Sequence, residues 1–182
     1  KEIILRTEKE KGVLVIPAFS VERTQELLFE LNDIVEAHEV SRMPIYLDSP
    51  LAIKVTDVFR RHKKYLNQRV QERMRSDDIF EFPGLIRVQD SEESKSIREV
   101  PGPKIIIAGA GMMNGGRVVH HAKNYLSNPH ATFLVVGYQA PGTLARILVD
   151  GIKTVRLFGV EIEVRAKIDT LTGYSAHKDS DD

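Results

Sequence analysis

Val13-Leu14-Val15-Ile16-Pro17-Ala18-Phe19-Ser20 is the stretch whose reading decides the fold. Its first four residues are a short, continuous apolar run with no polar alternation. Such a run predicts a strand buried on both faces, as in a parallel sheet. Residues 17–20 then turn the chain, and Ser20 is a candidate helix N-cap because its hydroxyl can accept from a first-turn N–H. Val21, Leu27, Leu28, Leu31, Ile34 and Val35 follow at helical spacing and predict one apolar face.

Working outward, the same unit recurs. Residues 1–11 are charged and predict a helix ahead of the strand. Residues 43–47 read as a second strand. Asp48 is a candidate cap, and Pro50 opens a helix whose stripe is Leu51, Ala52, Val55, Val58 and Phe59. Residues 60–100 are less regular, with a short strand at 85–88 and a polar helix at 91–99 that Pro101-Gly102-Pro103 ends. Residues 104–108 are a third strong strand, followed by a glycine-rich loop at 109–116. The helix after it carries Val118, Val119, Ala122, Tyr125 and Leu126 on one side. Residues 132–136 read as a fourth strand, and Pro141 starts a helix that ends near Asp150-Gly151. From Lys153, Val155, Leu157, Val160, Ile162 and Val164 alternate with polar residues around Phe158-Gly159, which predicts a hairpin with one wet face.

Strand, helix, strand, helix with long crossovers predicts an α/β fold, a right-handed, Rossmann-like parallel sheet. Ligands of such sheets sit beyond the carboxyl ends of the strands. The loops there are 17–23, 48–50, 109–117 and 137–143, so they are expected along one edge.

The 182 residues suffice for one domain with a proper core. The chain begins at Lys1 and ends in Asp-Ser-Asp-Asp, and the expectation is a piece of a longer protein. Twenty-six basic and 26 acidic residues leave no global field toward nucleic acid or membrane. The absence of cysteine excludes disulfides and thiolate chemistry and fits a reducing compartment; a cytoplasmic location is the expectation. No apolar run approaches the roughly 18 residues that span a bilayer.

Several motifs bear chemistry. Gly109-Ala110-Gly111 between strand and helix resembles a dinucleotide fingerprint, but Asn114 stands where the third glycine belongs. Phosphate binding by free N–H groups at a helix N-terminus survives that mismatch, beside the plainer reading of a tight turn. Arg23 sits in a first helical turn, where the macrodipole disfavours a cation. Either an anionic ligand or a local pair with Glu22 or Glu26 compensates. His120 and His121 point about 100° apart on a helix, which favours packing and solvent over one shared metal. No His-x-His, His-x-x-x-His or acidic cluster has ligand spacing. The basic run Arg60, Arg61, Lys63, Lys64, Arg69, Arg73 and Arg75 reads as a solvated face before it reads as a nucleic-acid site. Thr172-Gly173-Tyr174-Ser175-Ala176-His177-Lys178-Asp179 presents an imidazole in a small-residue loop, suited to giving or taking a proton near neutrality.

Five motifs in order resemble the β-CASP domain of the metallo-β-lactamase-fold nucleases: Ile16 to Leu28, Tyr46 to Ala52, Gly111 to His121, Gly137 to Leu144, and Gly173 to Asp179. The resemblance implies a β-CASP domain over 1–152. Residues 153–182 would be a hairpin and Ser-Ala-His loop, belonging to or leading back into a metallo-β-lactamase domain. It implies a parent that hydrolyses RNA with two zinc ions held on that other domain. The chain alone, with no metal ligands of its own, would then be inactive. His177 takes the position of the family's catalytic histidine, which assists the leaving group. Ser20, Arg23, Gly111, Met112, Gly115 and Gly116 take the phosphate-handling positions. Single-stranded RNA is the implied partner, no membrane is implied, and a homodimer is compatible with it. A DNA-processing nuclease and a catalytically silent scaffold subunit are the alternatives within the superfamily. Three positions depart from the family's common pattern: Ala110 for Ser, Pro141 for Glu, and Glu22 for Gly.

Overall fold

The computed structural model describes residues 1–171. Six parallel strands form its centre, in the spatial order β3-β2-β4-β1-β5-β8. They are β1 (Val13–Pro17), β2 (Ile45–Asp48), β3 (Leu85–Arg87), β4 (Lys104–Ala108), β5 (Ala131–Val136) and β8 (Lys167–Leu171). The predicted strands are all present, and β8 is an addition that sequence did not single out. Between β5 and β8 the chain makes the predicted antiparallel hairpin, β6 (Thr154–Leu157) and β7 (Val160–Glu163). Its buried residues are Val155, Leu157 and Ile162, while Val160 is exposed.

The period-two alternation of the strands divides the interior into two cores. Leu14, Ile16, Ile45, Leu47, Ile105, Ile107, Leu134 and Val136 face one side of the sheet. They pack there against α1 (Glu2–Lys9), α2 (Arg23–Glu36) and α3 (Pro50–Arg61). Val13, Val15, Tyr46, Ile106, Ala131, Phe133 and Val135 face the other side. Their partners are α6 (Arg117–Tyr125), α7 (Leu144–Val149), the hairpin and the 3-10 turn Ile97–Glu99 that follows α5 (Ser91–Ser96). The remaining helix, α4 (Gln68–Arg73), lies on the first side, with Val70 against that core. Each fully buried Ile or Phe contributes about 1.5–3 kcal/mol, so the central strands dominate the stability.

Lys104 opens β4 on the α6 side and is almost wholly buried. Its Nζ donates to the carbonyls of Ile97 and Val100 and lies 5.3 Å from the Tyr125 ring centre. Burial pushes its ammonium down to about 8 and the Tyr125 phenol up to about 12. Through those two carbonyls Lys104 fixes the segment after α5 to the sheet.

Several local expectations are corrected. Ser20 is not a helix cap: α2 starts at Arg23, and its cap residue is Glu22, whose side chain makes no capping bond. Val21, Leu51 and Val58 are exposed rather than buried. In α3 the deeply buried residues are Ala52, Ile53 and Thr56, a stripe turned by one residue from the predicted one. Ser49, not Asp48, caps α3, accepting from the Ala52 N–H at 3.3 Å. The helix predicted from Pro141 starts at Leu144 behind a Thr143 cap.

Glu22 has φ +63, a conformation that costs an L-residue about 1–2 kcal/mol. Glycine, common at this position in the family it resembles, adopts it without that cost. Glu22→Gly is therefore expected to stabilise the fold by about 1 kcal/mol. A thermal melt checks it, and an unchanged or lower midpoint would count against strain at this turn.

Candidate functional site

Because all six strands are parallel, every β-to-α loop leaves the sheet at one edge. The predicted convergence of 17–23, 48–50 and 109–117 is what the contacts show, and the first turn of α7, just after 137–143, joins them. The Ala18 N–H donates to the Ala108 carbonyl at 3.0 Å, and the Ala145 N–H to the Met112 carbonyl at 3.3 Å. Gly109 lies under two hydroxyls: a Cβ there would stand 3.4 Å from Ser49 Oγ and 3.7 Å from Ser20 Oγ. Those hydroxyls are 3.4 Å apart. Two glycines are required by close approach. A Cβ on Gly111 would come within 2.7 Å of the Phe19 ring. Gly116 has φ +73, and a Cβ there would meet the Gly109 carbonyl at 2.4 Å.

The glycine loop therefore runs flat beneath Phe19, Ser20 and Ser49 and enters α6. Inside it the Ala110 N–H donates to Gly115 and the Met113 N–H to Ala110. Among the described residues, the N–H groups of Gly111, Met112, Asn114, Gly115 and Gly116 meet no backbone carbonyl. They stand at the positive end of the α6 dipole, an arrangement suited to the oxygens of an anion. Gly115 opens on free space: no atom lies within 4 Å of where a Cβ would stand. Met112 is half-buried at the rim, and Met113 is in the core.

Behind the cradle lies a buried polar cluster. Asp48 follows Tyr46 by two residues, so it faces α6 rather than α3. Its Oδ2 accepts from Ser94 Oγ and meets His121 Nε2, both at 2.6 Å, and its Oδ1 accepts from Arg117 at 2.7 Å. An ionised carboxylate only accepts, so His121 presents Nε2–H to it. Burial pushes the Asp48 carboxyl up, but the donors His121, Ser94 and Arg117 outweigh that and hold it below the usual carboxylate value. Arg117 also donates to the carbonyls of Val88 at 3.0 Å and Gln89 at 2.7 Å. One side chain thus joins β2, the loop after β3 and the start of α6.

Of the residues singled out from sequence, the structure brings Ser20, Gly111, Met112, Gly115 and Gly116 together. Arg23 is at the start of α2, one turn from Ser20, and pairs with Glu26, as the local reading expected. His120 is on the outer side of α6 with its ring stacked on Phe158, centroids 4.8 Å apart. His177 lies outside the described residues. Sequence reasoning missed Ser94, Arg117, Thr24 and Gln25. Thr24 Oγ1 donates to the Phe19 carbonyl at 2.7 Å. Gln25 Nε2 donates to the Ser20 carbonyl at 3.2 Å and to Thr56 Oγ1 at 2.9 Å. These bonds hold the loop after β1 in place from below. The run of polar residues Thr24-Gln25 on an otherwise apolar helix face was the available signal.

Three of the seven residues of the basic run form ion pairs. Arg60 pairs with Asp57, Asp78 and Glu81, and Arg69 and Arg73 with Asp33. Among the described residues no group of three or more His, Asp or Glu is placed to hold a metal ion. Among them, too, no helix is long and apolar enough to cross a membrane.

A family model described as the Beta-Casp domain matches residues 24–148. The chain is 38% identical over 182 residues to "Ribonuclease TTHA0252" of Thermus thermophilus, covering 100% of this chain and 42% of that protein. It is 32% identical over 185 residues to "Transcription termination factor FttA" of Pyrococcus abyssi, with 98% of this chain and 28% of that protein covered. It is also 32% identical over 178 residues to the "RNase J-like protein" of Methanocaldococcus jannaschii, covering 98% of this chain and 40% of that protein. The chain thus spans from 28% to 42% of these relatives' lengths.

Proposed function

The chain belongs to the Beta-Casp domain family, and we propose that it is the substrate-covering part of a nuclease that hydrolyses RNA phosphodiester bonds in RNA processing or decay. Two of the relatives are named as ribonucleases, and they support the substrate class. The observation that carries the reading is the cradle. Two hydroxyls, and the N–H groups of Gly111, Met112, Gly115 and Gly116 that meet no backbone carbonyl among the described residues, lie in loops at the carboxyl edge of a parallel sheet. A tetrahedral phosphate offers acceptors on every side, and a cluster of donors at a helix N-terminus is its complement. Ser20 and the glycine loop bind the backbone phosphate, and Arg23 adds charge at the rim. Asp48, Arg117 and His121 keep the loop's entry to α6 rigid.

The two zinc ions that the resemblance implies do not fit the described residues, which contain no ligand cluster. Their ligands would lie in the part of the protein matched by the rest of the relatives' length, and residues 1–182 alone would not cleave RNA. Single-stranded RNA is the proposed partner, and the cytoplasm the proposed location.

Gly115→Asp tests the cradle in the full-length protein. No atom lies within 4 Å of where its Cβ would go, so the fold tolerates the side chain. The carboxylate would face the phosphate. We expect the apparent affinity for single-stranded RNA to fall at least roughly 10-fold, as for one lost charge contact made repulsive. The melting temperature should hold within a few degrees. RNA binding and cleavage at the wild-type level would remove the cradle from substrate binding.

A further inference from the structure

Beyond the cradle, α6 carries a second cationic feature. A groove of about 400 Å³ opens between α5 and α6, and Lys95, Arg98, Arg117 and Lys123 are among the residues that line it. No carboxylate stands among its lining residues, in a chain with 26 residues of each sign. The groove wall itself is cationic, with Glu92 and Glu99 beside it and Asp48 buried behind Arg117. Two of the cations have surface partners, Lys95 with Glu92 and Arg98 with Glu99, all four side chains more than 60% exposed. Pairs that exposed are worth about 0–1 kcal/mol and are easily exchanged for a phosphate.

An aromatic lies beside the groove, against its lining residues His120 and Lys123. Phe158, at the tip of the β6–β7 hairpin, is 56% exposed and stacks on His120, with Lys123 Nζ 5.6 Å from its ring centre. It does so at φ +50, a conformation that bulky residues rarely hold. A glycine or asparagine would suit that turn better, so the ring is kept there against backbone preference. Cations in a row beside an exposed aromatic face are the two elements that single-stranded nucleic acid uses, the first for phosphates and the second for a base.

We propose that the groove between α5 and α6 is a second contact for single-stranded RNA, continuing the backbone track from the cradle along α6. Arg117 belongs to both: it begins α6 at the cradle and lines the groove. Lys123 is six residues further on, about 9 Å along the helix. RNA leaving the cradle passes Arg117, then lies between Lys95 and Lys123 with a base against Phe158. The proposal rests on the RNA reading of the cradle.

The test is Lys95→Gln with Lys123→Gln in the full-length protein. Both side chains sit at the surface, so folding is retained, and a melt verifies it. Binding is measured against salt for single strands of about 20 and about 4 nucleotides, the longer able to fill both contacts. For the long strand, affinity should fall on the order of 10-fold and the log–log salt slope by about 1.4, as for two lost phosphate contacts. The short strand should bind the variant as it binds wild type. Phe158→Ala should weaken the long strand by roughly 5-fold without altering the slope, because stacking releases no counterion. Equal affinity of variant and wild type for the long strand would overturn the proposal, and so would equal losses for both lengths. If wild type bound neither strand, the RNA reading of the cradle itself would fall, a different and separable result.

Discussion

Asp48→Ala is expected to destabilise this domain by about 3–5 kcal/mol, the usual consequence of removing one partner from a buried charged cluster. The side chain has no exposure and accepts from three donors. Without it Arg117 loses its carboxylate and His121 Nε2–H its acceptor, around a position that is itself fully buried. For a domain of this size the midpoint should drop by roughly 6–20 °C. Asp48→Asn keeps the shape but swaps a carboxylate for an amide that cannot accept three bonds, and should lie between the two. The pH dependence has a definite sign. Folding lowers the Asp48 carboxyl below its ordinary 3.8. The stability it contributes is therefore present above 3.8 and lost as pH falls through the lower folded value. In Asp48→Asn this acid-dependent component should be missing, so mutant and wild-type stabilities converge at low pH. Denaturant unfolding of the full-length protein at several pH values reads both effects. A cost under about 1 kcal/mol would reduce the cluster to a surface-like pair.

That cluster also marks the limit of what sequence shows. The strands at 13–17, 45–48, 104–108 and 131–136 were legible because both-face burial leaves uninterrupted apolar runs, and their loops had to meet at one edge once the sheet was parallel. The cradle residues Ser20, Gly111, Met112, Gly115 and Gly116 were named by the resemblance, and the parallel sheet accounts for their sharing one edge. Asp48 was visible, but as a helix cap. Its true direction follows from strand alternation with Tyr46, and its partners Ser94 and His121 lie 46 and 73 residues away. Nothing local encodes such pairings. The rotation of the α3 stripe has the same origin: Leu51 and Ala52 are both apolar, and only the way Ser49 starts the helix decides which is inside. β8 escaped notice because it is an edge strand, Lys-Ile-Asp-Thr-Leu, whose residues are at most half-buried and whose pairing with β5 crosses the whole hairpin. The basic run was unresolved for want of its acidic partners, Asp33 and Asp78, supplied by another helix and a loop.

His177→Ala in the full-length protein is expected to lower the cleavage rate by about 10²–10⁴-fold, the typical contribution of a general acid, while binding and stability stay near wild type. The residue lies outside the described part of the chain, and the expectation comes from two directions. By resemblance, the Ser-Ala-His motif supplies the histidine that assists the leaving group. By topology, β8 is parallel to its neighbours, with Leu171 in register with Val136, so the chain leaves it at the same edge that carries the cradle. His177 is six steps along the chain from Leu171, a reach of at most about 22 Å. Sequence places His177 among Ser175, Ala176 and Lys178, away from any apolar stripe, so truncation should open no core cavity. If the imidazolium protonates the departing oxygen, a substrate whose leaving group needs no proton should lose far less rate than ordinary RNA. Single-turnover cleavage of both substrates separates chemistry from binding, and a thermal melt separates either from folding. An equal loss on both substrates would assign His177 to substrate positioning, and a collapsed melt would make it structural. Unchanged cleavage of both would take it out of the reaction.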